Sequence, residues 1–181
     1  PDHLYVGDID PQRPGMEIYY GIETRRDNNG MCLADAATGK ILWGLDFPTR
    51  HVHSHGMVSD IDPRHAGSEC YSGDTDAEKK FAFGILHNAR GEVISRENLF
   101  GFGPRTAYWD ADPLREVVGN NRVFKYGQSV DEPLLQIEGR LIAVVDLWGD
   151  WRKEIITTVP GEMRIYTTTI PAQDRRVCLM Q

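Results

Sequence analysis

Asp60-Ile61-Asp62-Pro63-Arg64-His65-Ala66-Gly67-Ser68-Glu69 is written more than once in this 181-residue chain. Asp8-Ile9-Asp10-Pro11-Gln12-Arg13-Pro14-Gly15-Met16-Glu17 keeps the frame and changes the filler. Asp110-Ala111-Asp112-Pro113 shortens it and reaches its glutamate at Glu116. Asp146-Leu147-Trp148-Gly149-Asp150-Trp151-Arg152-Lys153-Glu154 moves the second acid two places along. Repetition at intervals of several tens of residues marks an array of small sheets or a propeller. The expected repeats begin near Asp8, Asp60, Asp110 and Asp146 and fill residues 1–181.

The unit has a simple physical reading. Two aspartates at i and i+2 of an extended chain point to one side, with Cα atoms roughly 6–7 Å apart. The following proline holds the second aspartate in extended geometry. Gly15 and Gly67 occupy matching places and permit the positive φ that turns the chain back. The glutamate then returns a third carboxylate toward the pair. Hard cations such as Ca²⁺ take about six to eight oxygens, from carboxylates, carbonyls and water. One copy reads equally as a proline turn with solvated acids. Four copies, each with its acids in place, point to Ca²⁺ as a cofactor.

The formal net charge of −7 argues against nucleic acid as a partner. Four divalent ions would bring that charge close to neutral, and metal occupancy would then decide whether a polyanion is welcome. No apolar run approaches the ~18 residues of a membrane span, so no membrane partner is expected. No secretory leader is visible, and a start at Pro1 reads as trimmed or processed. Cys32, Cys70 and Cys178 lack metal or redox spacing and read as small buried hydrophobes.

Strands are expected over residues 16–22, 122–126, 134–137, 141–145, 154–159 and 163–166, with turns at Asp27-Asn28-Asn29-Gly30 and Pro160-Gly161. Residues 72–80 are polar and read as an exposed loop. Asp35-Ala36-Ala37-Thr38-Gly39 forms a corner closed by Trp43, and Asn88-Ala89-Arg90-Gly91 repeats it. Trp43 is expected to pack between blades. Nothing reads as a long amphipathic helix, so the fold class is all-β, about four propeller blades with aspartate loops.

Several of these segments together resemble the rhamnogalacturonan lyases of polysaccharide lyase family eleven. They are Val6 to Glu17, Asp35 to Trp43, Trp109 to Glu116, Asp146 to Glu154 and Arg164 to Pro171, which follow the family's order and cover nearly the whole chain. The resemblance implies a calcium-rich eight-bladed propeller, of which this chain would form about half. It implies cleavage of an acidic plant polysaccharide, rhamnogalacturonan I of pectin, by β-elimination, in a secreted or periplasmic protein. The remaining blades would come from a parent chain or another copy. Asp2 falls where the family places a metal-binding aspartate, which completes a candidate metal set of Asp2, Asp8, Asp10, Glu17, Asp60, Asp62, Glu69, Asp110, Asp112, Glu116, Asp146, Asp150 and Glu154.

The chain also departs from that pattern. Ser54-His55-Gly56 stands where the family carries an arginine between glycines. Glu138-Gly139-Arg140-Leu141-Ile142-Ala143 replaces an Asn-Asn-Gly-Thr-Lys segment, and a later tyrosine falls beyond Gln181. Elimination across a uronic acid removes a C5 proton next to a carboxylate, so charge on that carboxylate must be offset and a base of near-neutral pKa must act. His51, His53 and His55 alternate, which allows all three to share one face of an extended segment, as base, as metal ligand or as a solvated cluster. His55 is the leading candidate base, His53 the second, and Arg140 a candidate cation. The rival readings are a non-catalytic calcium-stabilised propeller that binds carbohydrate or protein, and a calcium-loop array for adhesion.

Overall fold

Every regular element among the described residues is a strand, because short apolar runs are punctuated by glycine, proline and Asx turns before any helical period can develop. The computed structural model describes residues 3–129 and 131–173. Asp2 and Cys178 lie outside them. Fifteen strands form four antiparallel sheets, and no helix occurs among the described residues.

The first sheet is a meander of β1 (His3–Gly7), β2 (Glu17–Gly21), β3 (Met31–Asp35) and β4 (Ile41–Gly44). The second repeats it with β5 (His53–Ser59), β6 (Glu69–Thr75), β7 (Phe81–His87) and β8 (Val93–Ser95). The third comprises β9 (Arg105–Ala107), β10 (Glu116–Gly119), β11 (Arg122–Phe124) and β12 (Leu135–Gln136). The last has three strands, β13 (Arg140–Val145), β14 (Glu154–Val159) and β15 (Glu162–Tyr166). In every sheet the aspartate loop joins the first strand to the second. The chain falls into two compact units, Pro1–Pro104 and Arg105–Gln181.

In the first unit, Ile9, Tyr19, Leu33, Cys70 and Ala89 make one core and Met31, Leu45, Val52 and Ile85 another. Trp43 joins the two sheets of this unit. Its indole N–H donates to the Ala89 carbonyl at 2.9 Å, and its ring lies 4.9 Å from that of His87. Gly91 turns beneath it at φ +88°, where a Cβ would come within 2.5 Å of the indole. Cys32 and Cys70 are free and buried. The second unit packs Ala107, Trp109, Val118, Val123, Ile137 and Ile155 together.

Residues 72–75 correct the loop expected there. Ser72 to Thr75 belong to β6, which is buried along its whole length. The Ser72 and Asp74 side chains are satisfied inside: the Ser72 hydroxyl meets Tyr19 Oη at 2.6 Å and His3 Nε2 at 2.8 Å. Asp74 accepts the backbone N–H groups of Arg50 and His51 at 2.8 and 2.7 Å. Hydrogen-bonded polar side chains tolerate burial that composition alone would exclude.

Candidate metal-binding loops

Each loop is closed by the glutamate that opens the next strand. Glu17, Glu69, Glu116 and Glu154 are all buried. Oε2 of Glu17 accepts the N–H groups of Ile9 and Asp10 at 2.9 and 3.1 Å. Glu69 does the same for Ile61 and Asp62 at 2.9 and 3.0 Å. Glu116 takes Trp109 and Asp110 at 2.8 and 3.3 Å, and Glu154 takes Leu147 and Trp148 at 2.8 and 3.3 Å. A carboxylate satisfying two buried donors is a strong local clamp. Nothing in composition reveals this role, although a glutamate recurring at the head of the strand after every loop was the signal.

The clamp aligns the loops independently of their spelling. Oδ1 of Asp10, Asp62 and Asp110 each accepts the N–H two residues on, at 3.1, 3.1 and 2.9 Å. Asp110 is therefore the counterpart of Asp10 and Asp62, and Tyr108 stands where the first two loops place Asp8 and Asp60. In the fourth loop Asp146 turns its carboxylate to the backbone, accepting the N–H groups of Gly149, Asp150 and Trp151. Asp150 accepts from Arg152 N–H at 3.2 Å. Gly67 turns at φ +93°, and a Cβ there would meet the Ile9 carbonyl at 2.3 Å, so the second loop abuts the first. Ser68 N–H seals that contact on the same carbonyl at 2.9 Å.

Among the described residues, Asp110, Asp112 and Glu116 are the acids whose ligand oxygens all lie within 4.8 Å of one another, and this group could hold a metal ion. The acids of the other three loops do not converge to that degree. Arg64 forks onto the Asp62 carboxylate at 2.8 and 2.6 Å, and its hydrogen bonds hold that carboxyl below its ordinary range. Arg13 lies 3.7 Å from Glu17 and 3.3 Å from Asp35. In the third loop Lys125 donates to both Asp110, at 2.6 Å, and Asp112. Burial works against its charge, but the two carboxylates outweigh it and raise its pKa to about 12.

Two observations bear on whether the loops suit a divalent ion. Oε1 of Glu69 and of Glu116 is buried without a hydrogen-bond partner. Desolvation pushes both carboxyls up to about 7 despite their N–H bonds, with Asp60 and Asp62 adding to the effect at Glu69 and Asp110 at Glu116. Carboxylate oxygens are also the donors that Ca²⁺ takes. The orphaned Glu69 Oε1 fits the second loop to such an ion, while the convergent acids of the third loop already surround Lys125.

The histidines divide. His51 Nε2 lies 3.0 Å from His53 Nδ1, and the His53 ring stands edge-on to Phe102 with centroids 5.1 Å apart. Between His53 and Met57 the pairing of β5 with β6 jumps from Gly73 to Tyr71, so β5 accommodates two extra residues. Simple alternation breaks there, and the single face expected for all three histidines is not a regular strand face. His55 is exposed, and its carbonyl accepts the Tyr5 hydroxyl at 2.8 Å. Arg140 is exposed at the start of β13, in the second unit, paired with Thr158.

Antiparallel meanders whose first loops are pinned by a buried glutamate define a repeat protein with acid-rich loops. The family profile for "Rhamnogalacturonan lyase family 11, C-terminal domain" matches residues 1–181, and the chain belongs to that family. It is 37% identical to the rhamnogalacturonan endolyase YesW of Bacillus subtilis (strain 168), over 99% of this chain and 29% of that protein. Identity to the rhamnogalacturonan exolyase YesX of the same organism is 31%, over 93% of this chain and 30% of that protein. The chain thus spans under a third of the length of these curated relatives. The crystal structure of YesW superposes with a TM-score of 0.75 at 34% identity, covering 98% of this chain and 30% of that one. A rhamnogalacturonan lyase from Bacillus licheniformis gives 0.73 at 30%, covering 97% and 30%.

Proposed function

We propose that this chain is the C-terminal part of a lyase that cleaves rhamnogalacturonan I of pectin by β-elimination, its sheets acting as propeller blades pinned by Ca²⁺. The observation that carries the reading is 37% identity to a rhamnogalacturonan endolyase across 99% of the chain. Asp8, Asp10 and Glu17, Asp60, Asp62 and Glu69, and Asp146, Asp150 and Glu154 are the residues that would hold the ions. A bound Ca²⁺ supplies positive charge that lowers the cost of bringing a polyuronate to a chain of net charge −7. A polymer of that kind is met outside the cell, so export belongs to the proposal.

The chemistry asks this chain for a base and for charge compensation at the uronate. His55 is exposed on β5 beside Gly56, which holds the segment at φ +56° and donates its N–H to the Phe102 carbonyl at 3.2 Å. An imidazole there can take the C5 proton in its neutral form. His53 is its nearest alternative along β5. The second reading, a non-catalytic calcium-stabilised binder, is favoured by the loss of the lysine-bearing segment at residues 138–143.

Ultraviolet absorbance of the unsaturated product, followed on rhamnogalacturonan I with and without Ca²⁺, separates the two. A product signal that titrates across pH ~5–8 and disappears in His55→Ala is the expected outcome. An inactive parent at every pH and metal concentration decides for the binder, and full activity in His55→Ala removes His55 from the mechanism.

A further inference from the structure

The residue facing the clamping glutamate across each sheet differs in one loop. The register of β2 with β3 sets Asp35 opposite Glu17. One step beyond Cys70 and His87, the pairing of β6 with β7 brings Asn88 to Glu69. One step beyond Ile155 and Tyr166, Thr167 reaches Glu154, and its hydroxyl donates to Oε1 at 3.2 Å. Three loops therefore meet an oxygen-bearing side chain at this position. In the third sheet, Val117 pairs with Phe124, and the next step sets Lys125 against Glu116. The register is enforced by the two-residue turn Asn120-Asn121, both at positive φ (43° and 62°), the geometry of a tight hairpin.

From that position the Lys125 ammonium bridges Asp110 and Asp112, two of the three acids that converge in this loop. Its side chain is 23% exposed, against 68% for Arg64, which forks onto Asp62 from the solvent side. An ammonium in contact with both carboxylates and a divalent ion on the same oxygens exclude each other, by overlap and by charge.

We propose that the third loop carries its own cation: Lys125 holds Asp110 and Asp112 where a divalent ion would bind, so this loop takes no Ca²⁺ while the lysine is present. The inference rests on the calcium reading of the other loops and makes the third one metal-independent. It also gives Lys125 a specificity role, since its replacement frees three convergent acids.

The test counts Ca²⁺ per chain by equilibrium dialysis on the intact protein and its variants. Asp112→Asn, which keeps an oxygen for the Leu114 N–H, is expected to leave the count unchanged. Lys125→Gln is expected to raise it by one, and Lys125→Gln combined with Asp112→Asn to return it to the parental value. If Lys125→Gln does not fold, Asp112→Asn decides alone: loss of one Ca²⁺ in that variant overturns the proposal, as does an unchanged count in folded Lys125→Gln. A parent that binds no Ca²⁺ at all overturns the calcium reading itself, a result distinct from either.

Discussion

Glu69 receives the backbone N–H of Ile61 on Oε2 at 2.9 Å, while its Oε1, in the same buried place, has no hydrogen-bond partner. One oxygen holds the loop, and in the proposed calcium reading the other would take the ion. The clamp and that proposed contact are separable by substitution.

Glu69→Gln keeps a carbonyl oxygen for the Ile61 and Asp62 N–H groups and loses the charge. Without metal it is expected to melt near the parent, and its Ca²⁺-dependent gain is expected to shrink by one site. A site filled at a hundred times its Kd contributes about 2.7 kcal/mol. Glu69→Ala strands two buried donors and is expected to cost roughly 2–4 kcal/mol in any metal condition. Urea melts with Ca²⁺ and with chelator distinguish these outcomes.

The pH dependence of the metal-free chain follows from the same residues. Glu69 and Glu116 titrate near 7 in the fold, against an ordinary 4.5, because burial disfavours their charged form. The folded state then holds more protons than the unfolded chain between these values, so their contribution to stability falls as pH rises from 4.5 to 7. Chelated protein should lose melting temperature over that window. Saturating Ca²⁺ should reduce the slope from Glu69, and Glu69→Gln should remove its share without metal.

His87 acts with the opposite sign. Burial, with a smaller push from the charge of Arg96, lowers its pKa to about 4, and its Nδ1 has no hydrogen-bond partner. The unfolded chain takes the proton first, near pH 6.5, so stability present above 6.5 is lost as pH falls toward 4, by roughly 3 kcal/mol in all. Because the glutamates move the other way, the difference between proteins is the readout. His87→Leu should melt progressively above the parent as pH drops from 6.5 to 4, as scanning calorimetry would record.

The repeat made the sheets legible, since four copies of one loop imply four copies of what the loop connects. It hid their alignment. Asp110 pairs by spelling with Asp8, yet it accepts the same bond as Asp10, because the third loop reaches its glutamate one residue sooner. Ser72 to Thr75 look like a loop in composition, and only Tyr19, His3 and the Arg50–His51 backbone explain their burial. The placing of the histidines was not legible, because the register shift between His53 and Met57 interrupts the alternation from which a common face was read. The bridge from Lys125 to Asp110 and Asp112 was the least visible, since the lysine reaches the acids through a hairpin turn and not through the motif.

Because Glu17, Glu69, Glu116 and Glu154 hold their loops from the far end, everything between clamp and anchor is free to drift in identity and length. Eight positions separate Ile9 from Glu17, seven separate Trp109 from Glu116, and the sheets that follow keep the same meander. Such a joint admits an inserted or deleted residue without disturbing the strand behind it. Divergence in this architecture should therefore gather in the loop interiors, where new ligand preferences arise one loop at a time.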